Sequence, residues 1–184
     1  LITSTLDRDT LFSRAVSLLC NRFHFYHAAI FIIEETGFKA ILESATGEAG
    51  AEMKKRSHSL SVGSQSIVGK VSQTGNHMIV NNTAIDPIHK FNPLLPETRS
   101  EAAIPLRVGE RIIGVISVQS YTLDAYTEDD LNLLIGIGNQ VGIAGSDGFN
   151  GTGSTQQMTC HGFGCTDIQI ICMVSKNIFN GFCF

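Results

Sequence analysis

Two apolar runs separated by two residues constrain this chain more than any other feature. Ala102-Ala103-Ile104-Pro105-Leu106-Arg107-Val108 and Arg111-Ile112-Ile113-Gly114-Val115-Ile116-Ser117-Val118 flank Gly109-Glu110. Two β-prone runs joined by a two-residue, glycine-containing turn form a β-hairpin pattern. Pro105 has no N–H to give to a ladder, so the first run is expected at a bulge or an edge.

The rest of the first 145 residues supplies partners for that hairpin. Leu11, Phe12, Ala15, Val16, Leu18, Leu19 and Phe23 recur at helical spacing, which predicts an amphipathic helix over 8–22. Ala28-Ala29-Ile30-Phe31-Ile32-Ile33 reads as a strand buried on both faces, turning at Gly37 into a second strand, Phe38 to Ser44. Ser57–Val62 alternates as a third strand, Ser66–Val71 opens a short helix ending at Gly75, and Met78-Ile79-Val80 is a brief strand. Gly47-Glu48-Ala49-Gly50 reads as a flexible turn. A loop over 81–100 holds Pro87, Pro93 and Pro96. Thr127-Glu128-Asp129-Asp130 matches a capping box and starts a helix through Leu131, Leu134, Ile135 and Val141. Gly136, Gly138, Gly142 and Gly145 weaken the end of that helix by about 1 kcal/mol each relative to Ala, so it frays or needs a partner. Hairpin-linked strands with flanking helices, lacking regular strand–helix alternation, give an α+β domain on a central antiparallel sheet of five to six strands.

Composition excludes several classes. The 184 residues carry a net charge of -4, which offers no basic footprint for nucleic acid. No apolar stretch approaches the roughly 18 residues of a membrane span. The opening Leu1-Ile2-Thr3-Ser4-Thr5-Leu6-Asp7 lacks the basic flank and apolar core of a signal peptide. A cytoplasmic domain taken from a longer protein is expected.

Composition breaks near Gly145-Ser146. Residues 146–184 contain no Leu, Ala, Glu, Arg or Pro, yet hold Cys160, Cys165, Cys172 and Cys183. Zinc ligation, disulfides, an edge strand at Ile168–Val174 and an unselected sequence are the four readings of this tail. The cysteines form no C-x2-C pair of the kind zinc sites use. A body with Cys20 as its single thiol does not look secreted. The tail is therefore expected to add nothing to sensing and little to the stability of 4–145.

The order of elements resembles the GAF domain, a small-molecule sensor module of signalling proteins. The resemblance is densest from Asp86-Pro87 through Pro96-Glu97-Thr98-Arg99-Ser100-Glu101 to Pro105-Leu106, and it continues through Ile112-Ile113-Gly114-Val115-Ile116-Ser117-Val118 and Tyr126-Thr127-Glu128-Asp129-Asp130. It covers residues 4–145 and leaves out the tail. It implies a regulatory sensor of the kind found in a sensor histidine kinase of a two-component system. Such a domain binds a small molecule noncovalently and acts on an output domain. The alternative is a ligand-free dimerisation and relay module. In either case a homodimer through the terminal helices is expected.

The motifs needed for catalysis are missing. Ser66, Ser100 and Ser117 lie in no G-x-S-x-G elbow, and the six His form no H-E-x-x-H. The GAF branch that reduces free methionine sulfoxide needs active-site thiols, whereas Cys20 sits between helix residues Leu19 and Asn21. No enzyme, and no metal, is expected. Covalent bilin attachment needs a Cys, and Pro87–Leu106 contains only His89. Haem through His89 is not expected either. Asn81-Asn82, Lys90-Phe91 and Glu101 do not reproduce the cyclic-nucleotide signature. Since GAF ligands sit between the sheet and the layer spanning 81–100, the resemblance implies contacts from Phe31, Asn81, His89, Phe91, Arg99, Ser100 and Ser117. His89 offers a titratable donor, Phe91 a stacking face and Arg99 a planar fork for an anion. Read without a ligand, Arg99 pairs with Glu97 or Glu101, Phe91 plugs the core and His89 is a surface residue.

Overall fold

The computed structural model describes residues 8–146. Helix α1 (Arg8–Phe23) leads into strands β1 (His27–Ile33) and β2 (Lys39–Ala45). Helix α2 (Gly47–Lys55), strand β3 (Ser59–Ser61), helix α3 (Ile67–Thr74) and strand β4 (Met78–Val80) follow. The long hairpin β5 (Ser100–Val108) and β6 (Arg111–Ser120) precedes helix α4 (Glu128–Ser146). The six strands form one antiparallel sheet in the order β3-β2-β1-β6-β5-β4.

The hairpin turns where the sequence predicts. Val108 pairs with Arg111, and Gly109 takes φ +57, a left-handed value that a side chain would disfavour at the first turn position. Pro105 lies past the end of β4, whose pairing stops at Ala103, and the register shifts between Leu106 and Arg107. Its missing N–H thus falls on a stretch with one neighbouring strand.

Strand alternation sorts the core into two layers. Ala28 and Ile30 of β1, Ala102, Ile104 and Leu106 of β5, and Ile116 and Val118 of β6 pack under α1 and α4. Ala29, Phe31, Ala103 and Val115 face the other way, against Met53 of α2, Ile67, Val68 and Val71 of α3, and Leu95. The central strands are covered on both sides, so their apolar runs are nearly continuous.

Two local expectations change. Gly47-Glu48-Ala49-Gly50 opens α2 instead of forming a flexible turn. Too few apolar residues fall in that stretch for a helical period to register. The third strand shrinks to Ser59–Ser61, with two of its three residues half-buried at the sheet edge. The second end-helix does find a partner: Gly138 and Gly142 lie against β5 and Gly145 against Phe12 of α1. Its capping box forms, with Thr127 N–H donating to Asp130 Oδ2 at 2.9 Å and Asp130 N–H to Thr127 Oγ1 at 3.2 Å. Apart from residue 146, the tail at 146–184 lies outside the described residues, as do all four readings of it.

Candidate cavity between the sheet and residues 81–99

Between β4 and β5, residues 81–99 run without helix or strand over the α2–α3 face of the sheet. They are tied down at both ends. Thr83 N–H donates to Arg99 O at 2.9 Å, Thr83 Oγ1 to Thr98 O at 2.7 Å, and Asn92 Nδ2 reaches Met53 Sδ at 3.1 Å. Beneath them is a cavity of about 490 Å³.

Its floor is set by register. Gln119 of β6 pairs with His27 of β1 on one side and Glu101 of β5 on the other. These three polar residues therefore form a row across three adjacent strands, on one face, and all line the cavity. The next row on that face is Ala29, Ser117 and Ala103. Phe31, Met53, Ile67, Val68 and Leu95 supply apolar wall. His58 meets the Phe31 ring edge-on, with centroids 6.1 Å apart.

Glu101 is the centre of the polar contacts. Ser117 Oγ donates to Glu101 Oε1 at 2.8 Å, and His89 Nδ1 lies 3.1 Å from Glu101 Oε2. The two side chains of the latter pair are 10% and 9% exposed. Thr98 Oγ1 donates to Gln119 Oε1 at 2.5 Å. His27 Nδ1 lies 3.3 Å from Thr46 Oγ1, whereas its buried Nε2 has no partner. Burial holds the His27 imidazole down to a pKa of about 4 against the opposing hydrogen bond with Thr46, so it is neutral at pH 7. His58 is also shifted down, by burial and then by the charge of Lys90.

Four of the seven expected residues, Phe31, His89, Phe91 and Ser117, line this cavity. Phe91 is 65% exposed and stands at its mouth, whereas His89 is turned inward on Glu101. The other three lie elsewhere. Asn81 is exposed and takes Asp124 N–H on its carbonyl at 3.1 Å, and Arg99 is exposed outside the cavity wall. Ser100 is buried on the opposite face, donating to Thr122 O at 2.8 Å, because strand parity turns it away from Glu101. His27, Glu101, Gln119 and Thr98 were not among the expected site residues. For Glu101 the signal was present: an acidic residue inside an otherwise apolar strand run.

Among the described residues no helix is long and apolar enough to cross a membrane, and no group of three or more metal-ligating side chains gathers. Cys20 lies on α1, across the sheet from the cavity, its thiol pushed up by burial and 3.4 Å from Thr46 Oγ1.

The sequence model of the GAF domain matches residues 5–144, and the chain belongs to that family. Solved structures agree on the fold. The GAF domain of a phosphoenolpyruvate-protein phosphotransferase from Coxiella burnetii superposes with a TM-score of 0.70 at 15% identity, covering 79% of this chain and 88% of that one. The GAF domain region of a putative membrane protein from Geobacter sulfurreducens gives 0.61 at 23% identity, covering 76% and 93%. A free methionine-R-sulfoxide reductase from Thermoplasma acidophilum gives 0.67 at 17% identity, covering 78% and 95%. No curated protein sequence matches the chain. GAF domains are generally regulatory sensor domains of signalling proteins, and the same fold also serves an enzyme.

Proposed function

We propose that this domain is a sensor that holds a small molecule noncovalently beneath residues 81–99 and relays its binding to an output domain through α4. The supporting observation is the cavity: about 490 Å³, apolar-walled, with a row of polar groups across its floor of which His27 and Glu101 are buried and Gln119 half-buried. Small-molecule sites have that size and that mixture of apolar wall and few polar groups. A route towards α4 also exists. Ile67 and Val68 of α3 line the cavity, and the Gly75 carbonyl at the end of α3 accepts from Arg107 Nη2 at 2.6 Å. The Arg107 backbone in turn lies against Gly142 of α4.

A non-enzymatic, cytoplasmic role in a histidine-kinase-type protein belongs to the same reading. The non-enzymatic part has chemical support: among the described residues no thiol lines the cavity, and Cys20 is raised in pKa on the far side of the sheet. Neither a covalent bilin nor haem is proposed. A homodimer through α1 and α4 stays part of the proposal. The ligand-free alternative draws less support, because a cavity with convergent polar groups lies beneath residues 81–99.

A thermal-shift screen against a metabolite library tests the reading. Ligands should raise the melting midpoint dose-dependently, by about 2.7 kcal/mol of stability at 100 times Kd. Leu60→Trp, which fills the cavity from its β3 wall, should abolish the response. Dose-dependent stabilisation that survives Leu60→Trp would move the site elsewhere.

A further inference from the structure

We propose that the ligand is an organic cation: a protonated amine or amidine whose N–H groups face Glu101 and whose body is apolar. This rests on the sensor reading of the same cavity. Glu101 is the one acidic side chain in the cavity wall among the described residues, and it is 7% exposed. A carboxylate so deep is costly without donors or a countercharge. Ser117 gives one hydrogen bond and His89 one contact, one to each oxygen. Each carboxylate oxygen accepts two, so the group retains acceptor capacity. One partner on each oxygen leaves a lone pair on both Oε1 and Oε2 open towards the cavity wall. A ligand N–H carried on a cation would fill that acceptor capacity and bring positive charge to the carboxylate in one group.

The Arg and Lys side chains of the wall do not reach the floor to supply such a charge. Arg56 is exposed and bound to Glu52 at 2.7 Å, and Lys90 is exposed at the mouth. Charges there are screened by water, whereas one at the floor is not. The apolar body has Phe31, Ile67, Val68 and Leu95 to pack on. The unpartnered Nε2 of neutral His27, in the same row, adds a second hydrogen-bonding group without adding charge. Buried groups of that kind are otherwise met by water or left unsatisfied at a free-energy cost.

Charge class is tested on the full chain with matched probes: benzamidine and phenethylamine as cations, benzamide and 2-phenylethanol as neutral isosteres, and benzoate and phenylacetate as anions. Calorimetric titration should detect the cations and find the neutral and anionic probes at least 10-fold weaker. Glu101→Gln keeps the side-chain volume and an acceptor for Ser117, and should weaken the cations roughly 10- to 100-fold. The wild-type comparison stands even if that variant fails to fold. Neutral or anionic probes binding as tightly as the cations, and lost in Leu60→Trp, would overturn the cation class and leave the sensor reading standing. Silence from all six probes would also overturn it, and together with an empty metabolite screen would remove both. Cation binding undiminished by Glu101→Gln would overturn the role given to that carboxylate.

Discussion

Gly142 of α4 lies directly against the backbone of Arg107 in β5: a Cβ on Gly142 would stand 2.5 Å from the Arg107 carbonyl oxygen and 2.9 Å from its nitrogen. Neither atom can move without bending the bulged end of β5. The glycine that looks like a helix weakness is thus a contact surface. Gly142→Ala should gain about 1 kcal/mol in helix propensity and lose more to overpacking. A net loss of about 1–2 kcal/mol in urea unfolding is expected. A stabilised variant would mean that α4 does not pack this closely.

The same contact supports relay. Arg107→Met keeps the aliphatic stem and removes the bond to the Gly75 carbonyl. Ligand affinity should stay within about 3-fold, because Arg107 does not line the cavity. The ligand-induced amide shifts along α4 should disappear. Unchanged α4 shifts in the variant would exclude this route.

Stability should fall with acid. His27 has a folded pKa of about 4, held down by burial, against about 6.5 when unfolded. Between those values the unfolded chain binds more protons, so folding weakens as pH drops from about 6.5 to about 4 and the effect levels off below. The full effect is about 3 kcal/mol. The downward shift of His58 acts in the same direction. Urea midpoints at pH 7, 5.5 and 4.5 should show the slope, and His27→Gln should flatten most of it. A slope unchanged in that variant would assign it to other groups.

Tyr126 pins the start of α4 to the sheet, its buried hydroxyl donating to Val118 O at 2.7 Å. Burial, and then the charge of Glu101, raise its pKa, so the hydroxyl stays protonated. Tyr126→Phe removes this buried hydrogen bond and should cost about 1 kcal/mol. Denaturant unfolding measures this, and a loss below about 0.3 kcal/mol would contradict it.

The elements that follow from apolar periodicity were readable in advance: α1, the β5–β6 hairpin, and α4 with its Thr127–Asp130 cap. Short elements were not. Three-residue β3 and the polar start of α2 owe their form to packing on β2, a tertiary effect that a local pattern does not carry. The site divides similarly. His89 and Ser117 were reachable because they lie in segments with a strong resemblance. His27 and Glu101 become neighbours in the row only through the pairings of β1 and β5 with β6. Arg99 and Ser100 looked equally suitable in the sequence, and strand parity sends Ser100 to the other face.

The most direct test of the account is where a stabilising ligand from the metabolite screen perturbs the backbone amides of the folded chain. Titration should shift residues 27–31, 88–95, 101–103 and 115–119 first and most strongly. Shifts confined to the outer faces of α1 and α4, with the sheet floor silent, would contradict a ligand site beneath residues 81–99.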